Sequence, residues 1–315
     1  MNKQKTKVSI IINSFNRERD LERNVRCLLQ QNLDSLYEII VVDNSYKPWR
    51  NFRKFSKVRY IYIDPLKENV GIKGWNIGEK YAKGEFLLIL DDDSLVADRN
   101  GVRKMIEEFE RISKKLTKLS NSFKLCGIVW DIYEGRSRIK HYYDFLRFKN
   151  LKITLSPTGQ GMLILKSAWE SVNGYDENFF LFVNENDIAI RLLEKGYIFV
   201  YTPNIKTFHA ISHCSLSASS REKKKYFYTR NQLFFVIKHI PLLLIPVFLP
   251  LCILRCLRRF RISLPVLKGI KDGLFSQSGL KNLKKRKPVS WKTVAIYLRY
   301  LFSKREFRIF GLLVR

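Results

Sequence analysis

Four short runs of apolar, largely β-branched residues constrain this chain most: Val8–Asn13, Tyr37–Asp43, Val58–Ile63 and Phe86–Leu90. Each is apolar at successive positions and short for a helix, the pattern of strands buried on both faces of a parallel sheet. Between the first two, Leu21, Val25, Leu28 and Leu29 recur at helical spacing and close a β-α-β unit. The segment N-V-G-I-K-G-W-N-I-G-E-K-Y-A-K-G, ahead of the fourth run, has helical character in its second half. Strands alternating with helices predict an α/β fold with a mostly parallel sheet, in which ligands lie beyond the carboxyl ends of the strands. Those ends are Asn13–Arg17, Asp43–Asn44 and Asp91–Ser94; all are polar and two are acidic.

Downstream, the pattern predicts a charged surface helix over Asp98–Leu119 and strands at Leu125–Ile132 and Gly161–Lys166. Gly174–Gly196 reads as an acidic and aromatic loop entering a helix. At Arg221 the pattern turns aromatic and basic, then apolar with Pro241, Pro246 and Pro250, and the domain boundary is placed there, giving 1–220 and 221–315. Charge follows the same division. The chain carries +29, and residues 221–315 hold 23 Lys/Arg against three acids, hence +20 of that total. Such an excess implies a polyanionic partner, either nucleic acid or an anionic membrane surface. Ile240–Leu254 is uncharged over only 15 residues, short of the roughly 20 that a spanning helix needs, and its prolines disfavour a regular helix. Leu233–Leu257 reaches that length only if Lys238 and His239 snorkel. R-C-L-R-R-F-R-I and K-N-L-K-K-R-K interleave basic and apolar residues, which favours a tail lying in the plane of an anionic membrane over a nucleic-acid patch. The five cysteines lack paired metal-site spacing and read as reduced thiols. The N-terminal apolar run is too short for a signal-peptide core, which predicts a peripheral protein on the cytoplasmic face of the cell membrane.

The segment G-E-F-L-L-I-L-D-D-D-S carries the most chemistry. An apolar strand that delivers Asp91 and Asp93 into a ligand crevice positions two carboxylates that can share Mg²⁺ or Mn²⁺ with a diphosphate. An isolated acid triplet is more often a solvated turn, and the strand-end position is what favours the metal. Trp130 and Trp169 read as packing residues, and His141, His213 and His239 as ordinary loop residues.

In order and spacing, V-S-I-I-I-N-S-F-N-R, E-I-I-V-V-D-N-S, E-N-V-G-I-K-G-W-N-I-G, G-E-F-L-L-I-L-D-D-D-S and G-Y-D-E-N-F-F-L-F-V-N-E-N-D-I-A-I-R-L-L-E-K-G-Y, with T-P-N-I-K-T-F-H, resemble the family 2 glycosyltransferases of GT-A fold. The similarity is strongest to the branch of bacterial rhamnosyltransferases and galactofuranosyltransferases. It covers about residues 7–215 and extends loosely, through Y-T-R-N-Q-L, to about Leu280. The resemblance implies a metal-dependent, inverting enzyme that moves a sugar from a nucleotide-diphosphate donor to a hydroxyl of a lipid-linked saccharide in surface polysaccharide assembly. It implies that Ser14, Asn16, Arg17 and Asp43 hold the nucleobase and ribose, that Asp91 lies near the ribose, and that Asp93 binds the metal. The resemblance also implies that Asn69, Gly71 and Asn76 shape the donor pocket, with Gly71 equally consistent with a turn leading into a helix, and that His209, after a Pro-containing turn, completes the metal site. Where many relatives read E-D-x-D, this chain reads N-E-N-D, Asn184–Asp187. Glu185 is then the candidate general base, and Asp187 the alternative base or an orienting residue. Phe179, Phe180 and Phe182 wall the acceptor site, with Gln160 and Gly161 on its floor. Other readings are a non-catalytic nucleotide- or nucleic-acid-binding protein using the basic tail, and a nucleotidyltransferase or dinucleotide enzyme. Acids in the cleft argue against nucleic acid, and the lack of G-x-G-x-x-G after the first strand argues against a dinucleotide enzyme.

Overall fold

The computed structural model describes residues 7–33, 37–134, 137–138, 146–210, 218–276 and 286–303. Strand β1 (Val8–Ser14), helix α1 (Glu18–Leu28), β2 (Tyr37–Asp43), β3 (Val58–Tyr62), helix α2 (Lys73–Glu79) and β4 (Phe86–Asp91) form the first half. Their strands pair in parallel in the order β3-β2-β1-β4. The register sets Ser14 beside Asp43 and Asn13 beside Asp91, so the three expected strand ends share one edge of the sheet. Alternation along these strands fills two cores. Ile10, Ile12, Val41 and Leu88 face the side that includes α1, whereas Ile11, Ile40, Leu87 and Ile89 face the other.

After β5 (Ser94–Leu95) and helix α3 (Gly101–Leu119) come β6 (Lys124–Glu134), β7 (Ser137–Arg138), β8 (Leu146–Phe148), β9 (Leu151–Thr154) and β10 (Met162–Leu165). Helices α4 (Lys166–Ser171) and α5 (Asn184–Glu194) lead to β11 (Tyr197–His209). The sheet continues past β4 as β10-β6-β11-β9-β8, with β10 antiparallel to both neighbours and β11 parallel to β6. The result is the expected mixed α/β architecture around a central parallel sheet. Trp130 and Trp169 are buried in it, as read.

Four expectations need revision. T-P-N-I-K is no turn: Pro203 sits where the β11 register shifts between Thr202 and Lys206, an irregularity that spares a strand the N–H that proline lacks. Pairing then resumes and carries His209 to a place opposite Ser94 of β5. Arg221 lies in the first turn of helix α6 (Ala218–His239), whose Phe234 and Phe235 enter the core beside α5, so the central sheet and the segment after 221 share packing. The prolines do not prevent helix: Pro246 falls at the start of α7 (Ile245–Phe260), where a missing N–H costs nothing, and Pro250 is accommodated inside it. Lastly, His239 is no loop residue, because it ends α6 fully buried. Helices α8 (Leu264–Phe275) and α9 (Trp291–Ser303) complete the described chain. None of the four described cysteines is in a disulfide. Cys214, His141, His213 and most of K-N-L-K-K-R-K lie outside the described residues.

Candidate functional site

The acid triplet forms where β4 ends and the chain turns into β5. Asp92 is buried; the Ser14 hydroxyl donates to its Oδ2 at 2.9 Å and Arg17 Nη1 to its Oδ1 at 3.4 Å. Burial lifts its pKa to about 7 against the pull of Arg17. Asp93 Oδ2 accepts a second contact from Arg17 and lies 3.2 Å from His209 Nε2. On the far side of the imidazole, Nδ1 is 3.0 Å from Glu134 Oε1. Burial lowers the pKa of His209, but the Asp93 contact and Glu134 overcome it and hold the ring at about 9. Burial likewise opposes ionisation of Asp93, yet His209 and Arg17 keep its carboxyl below the usual range.

Asp91 points elsewhere, toward Glu185. A methyl group placed on Gly159 would stand 3.5 Å from Glu185 Oε1 and 3.6 Å from Asp91 Oδ1, so both carboxylates flank one small spot. Burial raises the pKa of each, and Asp93, Asp92 and Glu185 raise that of Asp91 further. Glu185 sits in the first turn of α5, entered by a loop whose Phe180, Phe182 and Val183 all have positive φ (61°, 63° and 66°). Such backbone is costly for residues bearing a β-carbon and persists only where its surroundings enforce it. Here α6 enforces it. Asn231, fully buried, donates from Nδ2 to the carbonyls of Phe179, Leu181 and Phe182, and Arg230 Nη2 donates to those of Asn178 and Phe179.

Two residues on, in the same first turn of α5, Asp187 is fully buried and paired with Arg191, with Lys238 Nζ at 2.9 Å and with His239 Nε2 at 2.7 Å. Despite burial, Arg191 and His239 hold its carboxyl far below the usual range. With every side taken by a cationic or N–H partner, it fits the orienting role and not that of a base, and it ties α5 to α6.

Other expected residues act within the protein. Asp43 Oδ1 accepts from Ser45 N, and its Oδ2 from Trp49 N and the Tyr60 hydroxyl at 2.6 Å, which shapes the loop after β2. Asn16, at φ 58°, accepts from Tyr46 N at its Oδ1 and donates its backbone N–H to Ser45 Oγ, joining the loops after β1 and β2. Asn76 departs from its donor-pocket assignment: its amide donates to Tyr175 O and accepts from Tyr175 N, clipping α2 to the 175 loop. Gly71 has φ 49°, and a β-carbon there would meet Phe180 O at 2.5 Å, so glycine lets two site loops touch. Asn69 is exposed at the rim. Phe179 is wholly buried against Phe234 and belongs to the core, leaving Phe180 and Phe182 partly exposed. Gln160 Oε1 is buried without a hydrogen-bond partner among the described residues, and Gly161 packs on Trp130.

Sequence reasoning missed Asn44, which donates to Ile63 O and Glu68 O and accepts from Val70 N, as well as Glu134, Arg230, Asn231 and Lys238. The sequence marks Asn44 only as part of a polar strand end, Arg230 and Asn231 only within the loosely resembling Y-T-R-N-Q-L, and Lys238 only as a charge in the apolar run. For a divalent cation, Asp93 and His209 place an oxygen and a nitrogen side by side; the ring, protonated in the ligand-free chain, would give up its Nε2 proton to bind, with Glu134 keeping the proton on Nδ1. Among the described residues, no three of His, Cys, Asp and Glu are arranged as a ready metal cage. Asp93 and His209 thus supply two of the several ligands that a cation would need.

Residues 9–170 match the family described as Glycosyl transferase family 2. The chain is 27% identical over 251 residues to the dTDP-rhamnosyl transferase RfbF of Shigella flexneri, covering 70% of this chain and 78% of that protein. Over a shorter stretch of 56 residues, 18% of each chain, it is 32% identical to the N-acetylglucosaminyl-diphospho-decaprenol L-rhamnosyltransferase of Mycobacterium tuberculosis. In fold it is similar to the mannosyltransferase PcManGT of Pyrobaculum calidifontis, solved with GDP-Man and Mn²⁺, at TM-score 0.53 and 12% identity over 98% of this chain and 83% of that one.

Proposed function

This chain belongs to glycosyl transferase family 2 and is a glycosyltransferase, and from there we propose that it moves a sugar from a nucleotide-diphosphate donor to a hydroxyl of a lipid-linked saccharide, with inversion, in cell-surface polysaccharide synthesis. The observation that carries the proposal is the convergence of Glu185 and Asp91 on one spot at the carboxyl edge of β4, beside Asp93 and His209. Glu185 takes the proton of the acceptor hydroxyl as its oxygen bonds to the anomeric carbon. The bond from that carbon to the diphosphate oxygen breaks, and its electron pair leaves on the nucleoside diphosphate. A carboxylate whose pKa is raised by burial is a better base near neutrality than an ordinary one, and general-base catalysis contributes about 10²–10⁴-fold. Asp93 and His209 would contribute ligands to a divalent cation, Mn²⁺ or Mg²⁺, and such an ion, when bound, would supply positive charge toward the leaving diphosphate. Arg17 adds a fixed positive charge at the same edge, and Ser14 holds Asp92 in place.

The donor and acceptor classes draw support from the relatives, one a dTDP-rhamnosyl transferase and another acting on a decaprenol-linked saccharide. The reading as a non-catalytic binding protein falls with family membership, and no nucleic-acid partner is proposed. The basic segment after Arg221 supports a peripheral place on an anionic membrane, at its cytoplasmic face. Among the described residues, no helix is long and apolar enough to cross a membrane. Thermal shift of the purified chain with Mn²⁺ against a panel of nucleotide sugars tests the donor: one or a few should stabilise it, because ligands that bind only the folded state raise apparent stability. No shift with any nucleotide sugar would contradict the proposal.

A further inference from the structure

The side of α7 and α8 turned away from the sheet is apolar. Val247, Leu251 and Leu254 are 46–55% exposed along one stripe of α7, spaced four and three residues apart. On α8, Leu264, Leu267 and Phe275 form a second stripe, 49–79% exposed. Both stripes lie opposite the packed face of their helix. The buried residues of α7 include Cys256, and those of α8 are Val266, Gly269 and Gly273. The two glycines seat α8 so closely on α6 that added β-carbons would come within 2.8 Å of Tyr226 O and 2.7 Å of Leu233. The exposed stripes are thus fixed in place and unused by the fold. Leu242, Leu243 and Ile262, each more than 70% exposed, extend the same surface at the ends of the helices.

The polar residues on this surface have one sign. Arg258, Arg261, Lys268 and Lys271 are exposed on or beside the stripes. The sole carboxylate from 240 to 276, Asp272, is half-buried and accepts from the Tyr226 hydroxyl at 2.7 Å. An apolar stripe bordered only by cations matches the boundary between acyl chains and anionic headgroups. It suits a second copy of this chain poorly, since two such faces would bring their cations together.

We propose that this α7–α8 face docks on an anionic lipid bilayer, with both helices in the plane of the interface. The proposal rests on the membrane-held acceptor argued above and gives that reading a specific surface. It also narrows the sequence-based expectation of a basic and apolar tail lying in the membrane plane to the outward stripes of α7 and α8. Helix α6, on which α8 is seated, also holds the loop that leads into α5 and Glu185, so the docking surface lies one helix from that loop.

Co-sedimentation of the full-length protein with vesicles tests this, using phosphatidylcholine alone and phosphatidylcholine in which about a third of the lipid is phosphatidylglycerol. Wild type should pellet with the anionic vesicles and much less with the neutral ones. Leu251→Glu with Leu264→Glu should lower the bound fraction by about tenfold or more. Lys268→Ser with Lys271→Ser, confined to exposed positions, should remove much of the salt-sensitive part, and it carries the test should the first variant fail to fold. Both variants should keep the wild-type melting temperature and the wild-type rate with a water-soluble acceptor. Wild type remaining in the supernatant with anionic vesicles would overturn the proposal, as would full binding by folded variants. So would self-association of wild type that the leucine variant abolishes without any lipid binding. Failure of transfer to a soluble acceptor by wild type would count against the enzymatic reading and leave docking standing.

Discussion

Replacing Asn231 by alanine removes one buried amide whose two N–H groups serve the carbonyls of Phe179, Leu181 and Phe182. Leaving buried carbonyls without donors costs about 1–3 kcal/mol each, so with two N–H groups lost the variant should be less stable by about 2–4 kcal/mol. For a chain of this size, the melting temperature should fall by about 5–10 °C. The kinetic effect should be larger than this loss suggests. Phe180, Phe182 and Val183 hold positive-φ backbone that costs about 1–3 kcal/mol each, and the hydrogen bonds from α6 help enforce it. Once released, the loop relaxes and Glu185, two residues beyond Val183, loses its position. A displacement of an ångström at a reacting group costs about 10²-fold, so kcat should fall about 10–100-fold while donor affinity stays near wild type. Melting curves, donor titration and nucleoside diphosphate release measure the three quantities. Wild-type kcat in a variant that melts lower would refute the positioning argument, and wild-type melting would refute the hydrogen-bond reading itself.

Glu185→Gln should retain the fold and donor affinity yet lose about 10²–10⁴-fold in turnover, as read by single-turnover assay. Asp187→Asn should mainly destabilise, by about 3 kcal/mol in denaturant unfolding, because it removes one of the two carboxylates on buried Lys238, which keeps Asp176, and the carboxylate paired with part-buried Arg191. His209 has a folded pKa of about 9, above its ordinary 6.5, so its contribution to stability is fully present below about 6.5 and is lost as pH rises through about 9. His209→Gln should flatten that alkaline limb in a plot of melting temperature against pH for the ligand-free chain. His239 behaves oppositely: burial holds its pKa below the ordinary value, so it contributes stability above about 6.5 that is lost as pH falls further. Chelation with EDTA should abolish nucleoside diphosphate release, and added Mn²⁺ should restore it.

The sheet and the strand ends were legible because they rest on local pattern: apolar runs mark β1, β2 and β4, and the acids follow directly. The pairing of Asp93 with His209 was accessible only through resemblance, since the irregularity at Pro203 that delivers His209 has no distinct signature. Asn76 was misread for a related reason. An asparagine bonded to main chain 99 residues away looks the same in sequence as one facing a ligand. The largest error was to treat the chain after Arg221 as an appendage. Its net charge and apolar residues average over two faces of α7 and α8, one packed and one bare, and periodicity separates them only once the packed face is known. The contacts of Asn231, Lys238 and His239 with the site are long-range and polar, and no local propensity encodes them.

The most direct test of the central claim is single-turnover release of nucleoside diphosphate from the nucleotide-sugar donor that the thermal-shift panel identifies, by wild type, Glu185→Gln and Asp93→Asn, with and without Mn²⁺. Wild type should release product only with the metal. Asp93→Asn should lose release together with metal-dependent donor binding, whereas Glu185→Gln should bind the donor normally and fail at the chemical step. Turnover by Glu185→Gln at the wild-type rate, or unchanged release by wild type in EDTA, would contradict the account.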